Sequence, residues 1–252
     1  MNQTIISSSI DRANYRRALN FMKQRSPGQE FIITPADLRI EKLLSRNANK
    51  YSFDLYENQG SDRALEIKLN RNNLFFCTHI AICLAKQNGT SATGDGNHGN
   101  YPLFTYPDTQ YFSGDDGASA KEFEALQTVY NGKLDVTTNP VVRMRDFSTN
   151  NFLYRPESQL LKQAGAQLED ELPQYGPSHG ERGFYEVNPT IIFDGHENNS
   201  IELELGAGDK TLIAGEVNNA NAAVPTRNVV VLLLKGFVVE NGAQKVGRWT
   251  AF

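Results

Sequence analysis

Cysteine is scarce in this chain: only Cys77 and Cys83 occur among 252 residues. Both lie in one apolar run, six positions apart. An extended chain rises about 3.3 Å per residue, which would separate them by roughly 20 Å and place them on the same face of a strand. A disulfide between them is therefore excluded on geometry. Two buried free thiols indicate a protein assembled in a reducing cytoplasm.

Long hydrophobic runs are also lacking. No uninterrupted apolar run exceeds six residues, the length of Val229–Leu234, whereas a membrane-spanning helix needs about 20. Residues 1–10 lack the basic start and the apolar stretch that mark a secretory signal, so we expect neither a membrane span nor a signal. The short run is instead typical of a strand buried on both faces. We predict that Arg227–Glu240 is an interior strand with a partner on each side.

Catalytic and cofactor motifs are missing as well. The sequence has no Walker loop and no Rossmann glycine pattern between a strand and a helix, and its four histidines lack the spacing of zinc ligands. Residues 176–180 match the G-x-S-x-G pattern of hydrolases, but a polar, proline-rich stretch surrounds them and no helix follows. We predict a protein that is not an enzyme and has no cofactor and no metal site. A hydrolase that uses Ser178 and His179 is kept as an alternative.

Charge is unevenly distributed along the chain. Residues 1–50 contain nine basic and four acidic side chains, a net +5, whereas the remainder contains 16 basic and 25 acidic ones, a net −9. One interpretation is a basic N-terminal arm, with Arg12, Arg16 and Arg17, that contacts a neighbouring subunit or packaged nucleic acid. The other is a solvated helix lying on its own acidic body.

Two-residue alternation of apolar side chains dominates the middle and the end of the chain. It predicts strands at 51–55, 65–69, 74–84, 134–137, 141–145, 152–154, 184–187, 189–194 and 199–205. Capping signals predict helices at Ile10–Gln24, Thr34–Asn47 and Ser119–Asn131. Many short strands without alternating helices indicate a mainly β protein, an antiparallel β-sandwich or jelly roll with an N-terminal helical arm and one or two short helices. A compact double jelly roll is the alternative.

The domain organisation follows from these elements. We predict an N-terminal helical arm at 1–49, a jelly-roll-like sandwich at 50–245 with long loops at 88–118 and 168–183, and a C-terminal tail at 246–252. Loops of such length are usually functional or disordered.

The first long loop is rich in tyrosine and aspartate. Tyr101, Tyr106 and Tyr111 predict either a recognition surface or a loop that packs its own aromatic rings over the edge of the sandwich. Four carboxylates in or near the loop are candidate calcium ligands, although their spacing matches no calcium loop. They are Asp95, Asp108, Asp115 and Asp116.

The segment Phe184–Leu205, followed by the run Asn228–Val239, resembles the closing strands of viral and bacteriophage jelly-roll capsid proteins. The layout is similar too: a helical arm, short strands, and long loops rich in asparagine and glycine. The resemblance implies a structural protein of a virus or phage particle, which self-assembles through its loops and N-terminal arm into an icosahedral shell. It also implies a homo-oligomer such as a trimer, contacts with other virion proteins, weak contact between the arm and packaged nucleic acid, and a location in the virion after assembly in the host cytoplasm.

A second class of function stays open. A carbohydrate- or peptide-binding sandwich, such as a phage attachment component, would place Tyr101, Tyr106, Tyr111 and the neighbouring aspartates in a groove.

Overall fold

The computed structural model of the protein describes residues 9–57, 66–88, 102–109, 111–112, 122–155, 183–215 and 226–245. The strands within these residues are β1 (Ile33–Leu43), β2 (Lys50–Phe53), β3 (Leu74–Asn88), β4 (Lys133–Thr138), β5 (Val141–Ser148), β6 (Tyr185–Asp194), β7 (Asn199–Glu204) and β8 (Thr226–Val239). The helices are α1 (Ser9–Arg25), α2 (Glu122–Tyr130) and the one-turn α3 (Gly242–Lys245), with a 3-10 turn at Thr149–Phe152.

The first described strand pairs with the last, the second with the second-last, and so on toward the middle of the chain. β1 pairs with β8, β2 with β7, β3 with β6 and β4 with β5, all antiparallel. Two further pairings, β3 with β8 and β4 with β7, join them into a first sheet of order β1-β8-β3-β6 and a second of order β2-β7-β4-β5. Eight antiparallel strands connected in this way form a jelly roll. The predicted fold class is confirmed, and the described strands make one sandwich, not the double form of about sixteen strands.

The core lies between the two sheets. Ile40, Phe75 and Leu232 from the first sheet pack in one cluster with Leu134 and Ile201 from the second, and all five side chains are fully buried. Burial of an apolar side chain of this size contributes about 1.5–3 kcal/mol. The inward faces of the strands therefore supply the main stabilisation of the sandwich.

Strand β8 is an interior strand of the first sheet. It pairs with β1 on one edge and with β3 on the other. Val230 and Leu232 pack in the core between the sheets, whereas Val229 and Val231 pack in a separate cluster on the outer face, and all four are fully buried. A strand buried on both faces needs apolar residues at consecutive positions. The prediction that this run is an interior strand with two neighbours is confirmed.

Strand β3 changes face at a bulge. Its register with both neighbours shifts between Cys77 and His79, so Cys77 packs in the core and Cys83 on the outer face of the first sheet. The predicted shared face is wrong, because the irregularity reverses the alternation that follows it. Both cysteines are free, as predicted.

Helix α1 lies on the outer face of the first sheet. Ala18 and Met22, one turn apart, are fully buried there in a cluster with residues of β3 and β8, and the ring of Tyr15 meets that of Phe237 edge to face at 5.9 Å between centroids. The helix predicted at Ile10–Gln24 is confirmed to within one residue at each end.

The second predicted helix, Thr34–Asn47, is wrong. The chain forms β1 instead and pairs with β8 over eleven consecutive positions. Leu38 and Ile40 alternate into the core, and Pro35 is tolerated because β1 is an edge strand. The helical part of the N-terminal segment described here is therefore α1 alone.

Two predicted strands also differ. Residues 66–69 make only single bridges, one to β1 and one to the chain beyond β2, and the strand expected at 152–154 is replaced by the 3-10 turn. The predicted tail at 246–252 lies outside the described residues, as does the loop at 168–183 apart from its last residue.

Candidate assembly surfaces

One lateral side of the sandwich, where β1 and β2 are edge strands, is closed by hydrogen bonds of residues 66–69. Ile67 exchanges two backbone hydrogen bonds with Arg39 of β1, at 2.8 and 2.9 Å, and the Leu69 N–H donates to the Leu55 carbonyl beyond β2 at 2.7 Å. We call residues 66–69 the seam. It links the two sheets and satisfies backbone groups on the edge of β1.

Charged side chains pack beside the seam, and those of Glu41, Glu66 and Lys68 are buried. Arg39 pairs with Glu41 at 2.8 Å and Lys68 with Glu66 at 3.1 Å, and Glu66 also accepts a hydrogen bond from the backbone N–H of Glu41 at 3.0 Å. Two cations and two carboxylates balance, as burial of charge requires. Ile67, between Glu66 and Lys68 in sequence, is 56% exposed.

On the opposite lateral side a groove of about 250 Å³ lies between β5 and β6. Arg143, Met144 and Phe147 of β5 line it, together with Tyr185 and residues 187–191 of β6. The rings of Phe147 and Tyr185 meet edge to face at 4.8 Å between centroids. The groove is therefore mainly apolar, and Arg143 is the only charged side chain that the described residues contribute to its lining.

An irregularity of β6 shapes this groove. The strand pairs with β3 at residues 191–194 and again at 185–186, which leaves residues 187–190 outside the ladder. Pro189 lies in this stretch and has no backbone N–H to donate, so the excursion suits its position on an edge strand. The groove lining formed by residues 187–190 was not predicted from the sequence. The proline between two apolar runs was the only sequence signal of this irregularity.

Strand β5 is an edge strand among the described residues. Val141 and Val142 are 49% and 40% exposed. Its register with β4 shifts twice, and Asp146 adopts a φ of 49°. Such irregularities prevent pairing along the whole length of an edge. The strand therefore offers exposed apolar side chains beside the groove, and not a long row of backbone groups available for strand pairing.

The outer face of the second sheet carries paired charges. Lys133 lies 2.9 Å from Asp146, and this ammonium group lowers the pKa of the Asp146 carboxyl. Lys50 and Glu202 form a second pair. Both lysines are therefore neutralised by carboxylates of the same chain.

Helix α1 brings together the three predicted contact arginines. Arg12, Arg16 and Arg17 are exposed, and Arg17 donates a hydrogen bond to the Asn14 side chain at 3.3 Å. Because the opposite face of the helix is docked on the first sheet, these guanidinium groups point to solvent from a fixed support. Lys23, two turns after Arg16, extends the basic surface in the last turn.

The structure places the predicted tyrosines elsewhere, away from α1. Tyr101 lies outside the described residues. Tyr106 is buried, and its hydroxyl donates to the Asp108 carboxylate at 2.9 Å; burial, and then Asp108, raise the pKa of Tyr106. Tyr111 is half-buried and packs on Phe104 at 4.6 Å between ring centroids. Of the two described tyrosines, only Tyr111 offers appreciable surface to a partner.

The candidate calcium ligands are not brought together among the described residues. Asp108 uses one carboxylate oxygen for the Tyr106 hydroxyl and the other for the Tyr111 backbone N–H, at 2.9 and 2.7 Å. Asp95, Asp115 and Asp116 fall outside that part of the chain. Asp108 therefore orders its own loop.

The parts of the chain that the structure describes hold no group of three or more His, Cys, Asp or Glu side chains able to bind a metal ion. Ser178 and His179 lie outside those parts. No helix among the described residues is long and apolar enough to cross a membrane. Burial raises the pKa of the Cys83 thiol to about 12 and that of Cys77 further, so both remain protonated and unreactive at neutral pH.

Comparison with known proteins gives one distant structural likeness. No protein-family model matches the chain, and no curated protein matches it significantly. Among solved structures, the chain is similar to PBCV-1 VP54 fitted into a cryo-EM reconstruction of the virophage Sputnik, with 8% identity and a TM-score of 0.33. The match covers 87% of this chain and 46% of that one, so this chain spans less than half its length. The fold assignment rests on the strand pairing described above.

Proposed function

We propose that this protein is a structural component of a virus or phage particle that assembles with copies of itself into a shell. The observation that carries the proposal is the strand pairing, β1 with β8, β2 with β7, β3 with β6 and β4 with β5. Viral capsid domains are among the proteins built on this jelly roll. Because the same fold serves other functions, the sequence resemblance to capsid strands is the second support.

The surfaces suit a protein that associates with other protein subunits. The groove between β5 and β6, together with the exposed Val141 and Val142, offers an apolar surface on one lateral side. The basic face of α1 offers a separate surface for acidic subunits or for packaged nucleic acid, which attracts arginine through its phosphates. The partners we propose are other copies of this chain and other virion proteins, and its location is the virion.

Size-exclusion chromatography with light scattering tests the proposal. We expect a shift from monomer to larger species as protein concentration rises, with salt changing the midpoint. A protein that remains monomeric at high concentration across a range of salt would contradict a role in a shell.

The groove also supports a second candidate, a carbohydrate- or peptide-binding module. Binding sites are typically concave and apolar with a few convergent polar groups, and Arg143 and Asn188 supply such groups beside the rings of Phe147 and Tyr185. This places the candidate site away from the predicted Tyr106. A glycan array signal that disappears in Asn188→Ala, from a protein that stays monomeric, would favour this candidate.

A further inference from the structure

A lysine, a glutamate and an asparagine meet at the margin of the main core, away from the surfaces described above. The Nζ of Lys86 in β3 lies 3.2 Å from Oε2 of Glu122, the first residue of α2, and the two side chains are only 13% and 3% exposed. The same Glu122 oxygen accepts a hydrogen bond from the Asn228 Nδ2 at 3.4 Å. One carboxylate oxygen therefore contacts both a buried amine and a buried amide.

The strand register holds the lysine and the asparagine side by side. Lys86 and Asn228 are direct partners in the antiparallel pairing of β3 with β8, which places their Cβ atoms about 4.5–5.5 Å apart. Both continue the core-facing alternation of their strands, Lys86 after Leu84 and Asn228 before Val230. The two central strands of the first sheet therefore present an amine and an amide to each other from a rigid base.

The Asn228 amide is held firmly but is incompletely hydrogen-bonded. It is fully buried, and its Nδ2 also donates to the Ile213 carbonyl at 3.2 Å. Its backbone N–H donates to the Ala214 carbonyl at 3.0 Å. No described residue donates a hydrogen bond to its Oδ1. A buried amide oxygen without a partner is costly, which indicates a role for this amide beyond packing.

We propose that the amine of Lys86 attacks Cγ of Asn228 and forms an amide bond that joins β3 to β8 within one chain. The Glu122 carboxylate first takes a proton from the Lys86 ammonium, which leaves an uncharged nucleophile. As the new C–N bond forms, the bond from Cγ to Nδ2 breaks. In total two protons pass from Nζ to Nδ2 through Glu122, the leaving group departs as ammonium, and Glu122 ends as a carboxylate. One C–N bond forms and one breaks, so the step needs no oxidant, reductant or cofactor.

The surroundings favour this reaction. Leu84, Val230 and Leu126, two or four positions from the three reacting residues, are fully buried in the main core. The first proton transfer converts a buried ion pair into an uncharged amine and an uncharged acid, and burial favours uncharged groups. Groups that are fixed next to each other also react without the entropic cost of an encounter.

The bond would stabilise the sandwich without any disulfide. It closes a loop from residue 86 to residue 228 that contains α2 and β4 to β7, and a cross-link of this kind restricts the unfolded chain. Reducing conditions do not cleave an amide, which suits a chain whose two cysteines are free. The modification concerns a single folded chain, so it goes beyond the proposed function and does not require copies to assemble.

Mass spectrometry of the purified wild-type protein tests the bond. We expect an intact mass lower than that of the sequence by one molecule of ammonia. Trypsin does not cleave after an acylated lysine, so digestion should release residues 72–121 joined to residues 228–235. Protein of full mass that yields a free peptide ending at Lys86 would overturn the proposal, and so would a loss of ammonia located elsewhere in the chain.

Variants test the role of each group. Lys86→Arg keeps the positive charge beside Glu122 and should have the full mass of its sequence. Glu122→Gln should lose the linked peptide while its circular dichroism remains that of the folded wild type. Lys68→Arg is the matched control, since Lys68 also forms a buried pair with a glutamate, at 3.1 Å, and it should retain the link. A linked peptide that forms equally in Glu122→Gln would overturn Glu122 as the proton carrier.

Discussion

Gly236 of β8 lies so close to Phe76 of β3 that a Cβ on the glycine would be 1.9 Å from the Phe76 carbonyl oxygen. The glycine lies beside the bulge at which β3 shifts its register. The Thr78 hydroxyl donates to the carbonyl of Lys235 at 3.2 Å and so links β3 to β8 at the bulge. The bulge sets which residues of β3 face the core on each side of it, so this glycine supports the packing of the whole sheet.

Gly236→Ala should therefore destabilise the protein by about 2–3 kcal/mol, because the obstructing atom belongs to the backbone of a central strand. Urea unfolding followed by circular dichroism measures this. Gly28→Ala is the matched control: its φ of 83° carries some strain, but nothing lies within 4 Å of the added carbon. Equal destabilisation of the two variants would mean that β3 and β8 move apart freely at this position.

Charges introduced into β8 should have different effects at neighbouring outer-face positions. Val231 is fully buried, so Val231→Asp buries an unpaired carboxylate and should abolish soluble expression. Leu233 is half-buried and directly opposite Arg39 in the register. Leu233→Asp should therefore remain soluble, with a free energy of unfolding about 1–2 kcal/mol lower. Soluble yield and thermal melting of the two variants measure this difference, and loss of soluble protein in both would contradict it.

Tyr56 should make stability depend on pH in the alkaline range. Its hydroxyl lies 2.6 Å from the Glu197 carbonyl oxygen and 2.9 Å from that of Asp194, and burial raises its pKa to about 12. An unfolded tyrosine ionises near pH 10. The contribution of the neutral Tyr56 hydroxyl to the free energy of unfolding is therefore complete below pH 10 and is lost as the pH rises toward 12.

The variant Tyr56→Phe isolates this effect. At pH 8 it should be about 1 kcal/mol less stable than the wild type, because the Asp194 and Glu197 carbonyl groups lose the hydrogen bonds that this hydroxyl donates. The difference should shrink between pH 10 and pH 12, measured by urea unfolding at each pH. A difference that stays constant through this range would show that the hydroxyl is not held in its neutral form.

The basic face of α1 should bind phosphate backbones. We expect Arg12→Gln/Arg16→Gln/Arg17→Gln to weaken binding of a fluorescent single-stranded oligonucleotide at low salt. The slope of log affinity against log salt should become shallower by about 2, since each phosphate neutralised by an arginine contributes about 0.7 to it. Lys50→Gln/Lys133→Gln is a control with paired lysines on the second sheet and should leave the slope unchanged. An identical slope in the triple variant would remove α1 as a nucleic-acid surface.

The periodicity of apolar residues was sufficient to predict strands that are clearly buried on one face or on both faces. Alternation at residues 50–53 and the unbroken run in β8 are direct consequences of burial on one face or on two. It failed at β1, because Thr34, Pro35 and Asp37 match a helix start while the competing partner, β8, is about two hundred residues away. Tertiary pairing outweighs a capping signal worth about 1 kcal/mol.

The candidate site was less accessible from the sequence. The groove exists only because β5 and β6, separated by a long stretch of chain, become edge strands on the same side of the sandwich. The contact residues were predicted from residue identity alone, which does not determine burial. The arginines of α1 are exposed, but Tyr106 is buried in its own loop. Exposure of Ile67 could not be predicted, since alternation within residues 65–69 is that of an ordinary strand.

Self-assembly is the central claim, and negative-stain electron microscopy of the concentrated wild-type protein tests it most directly. We predict closed particles or regular arrays of a repeating unit in this sample. A field of single, unassociated molecules at every protein and salt concentration would contradict the account.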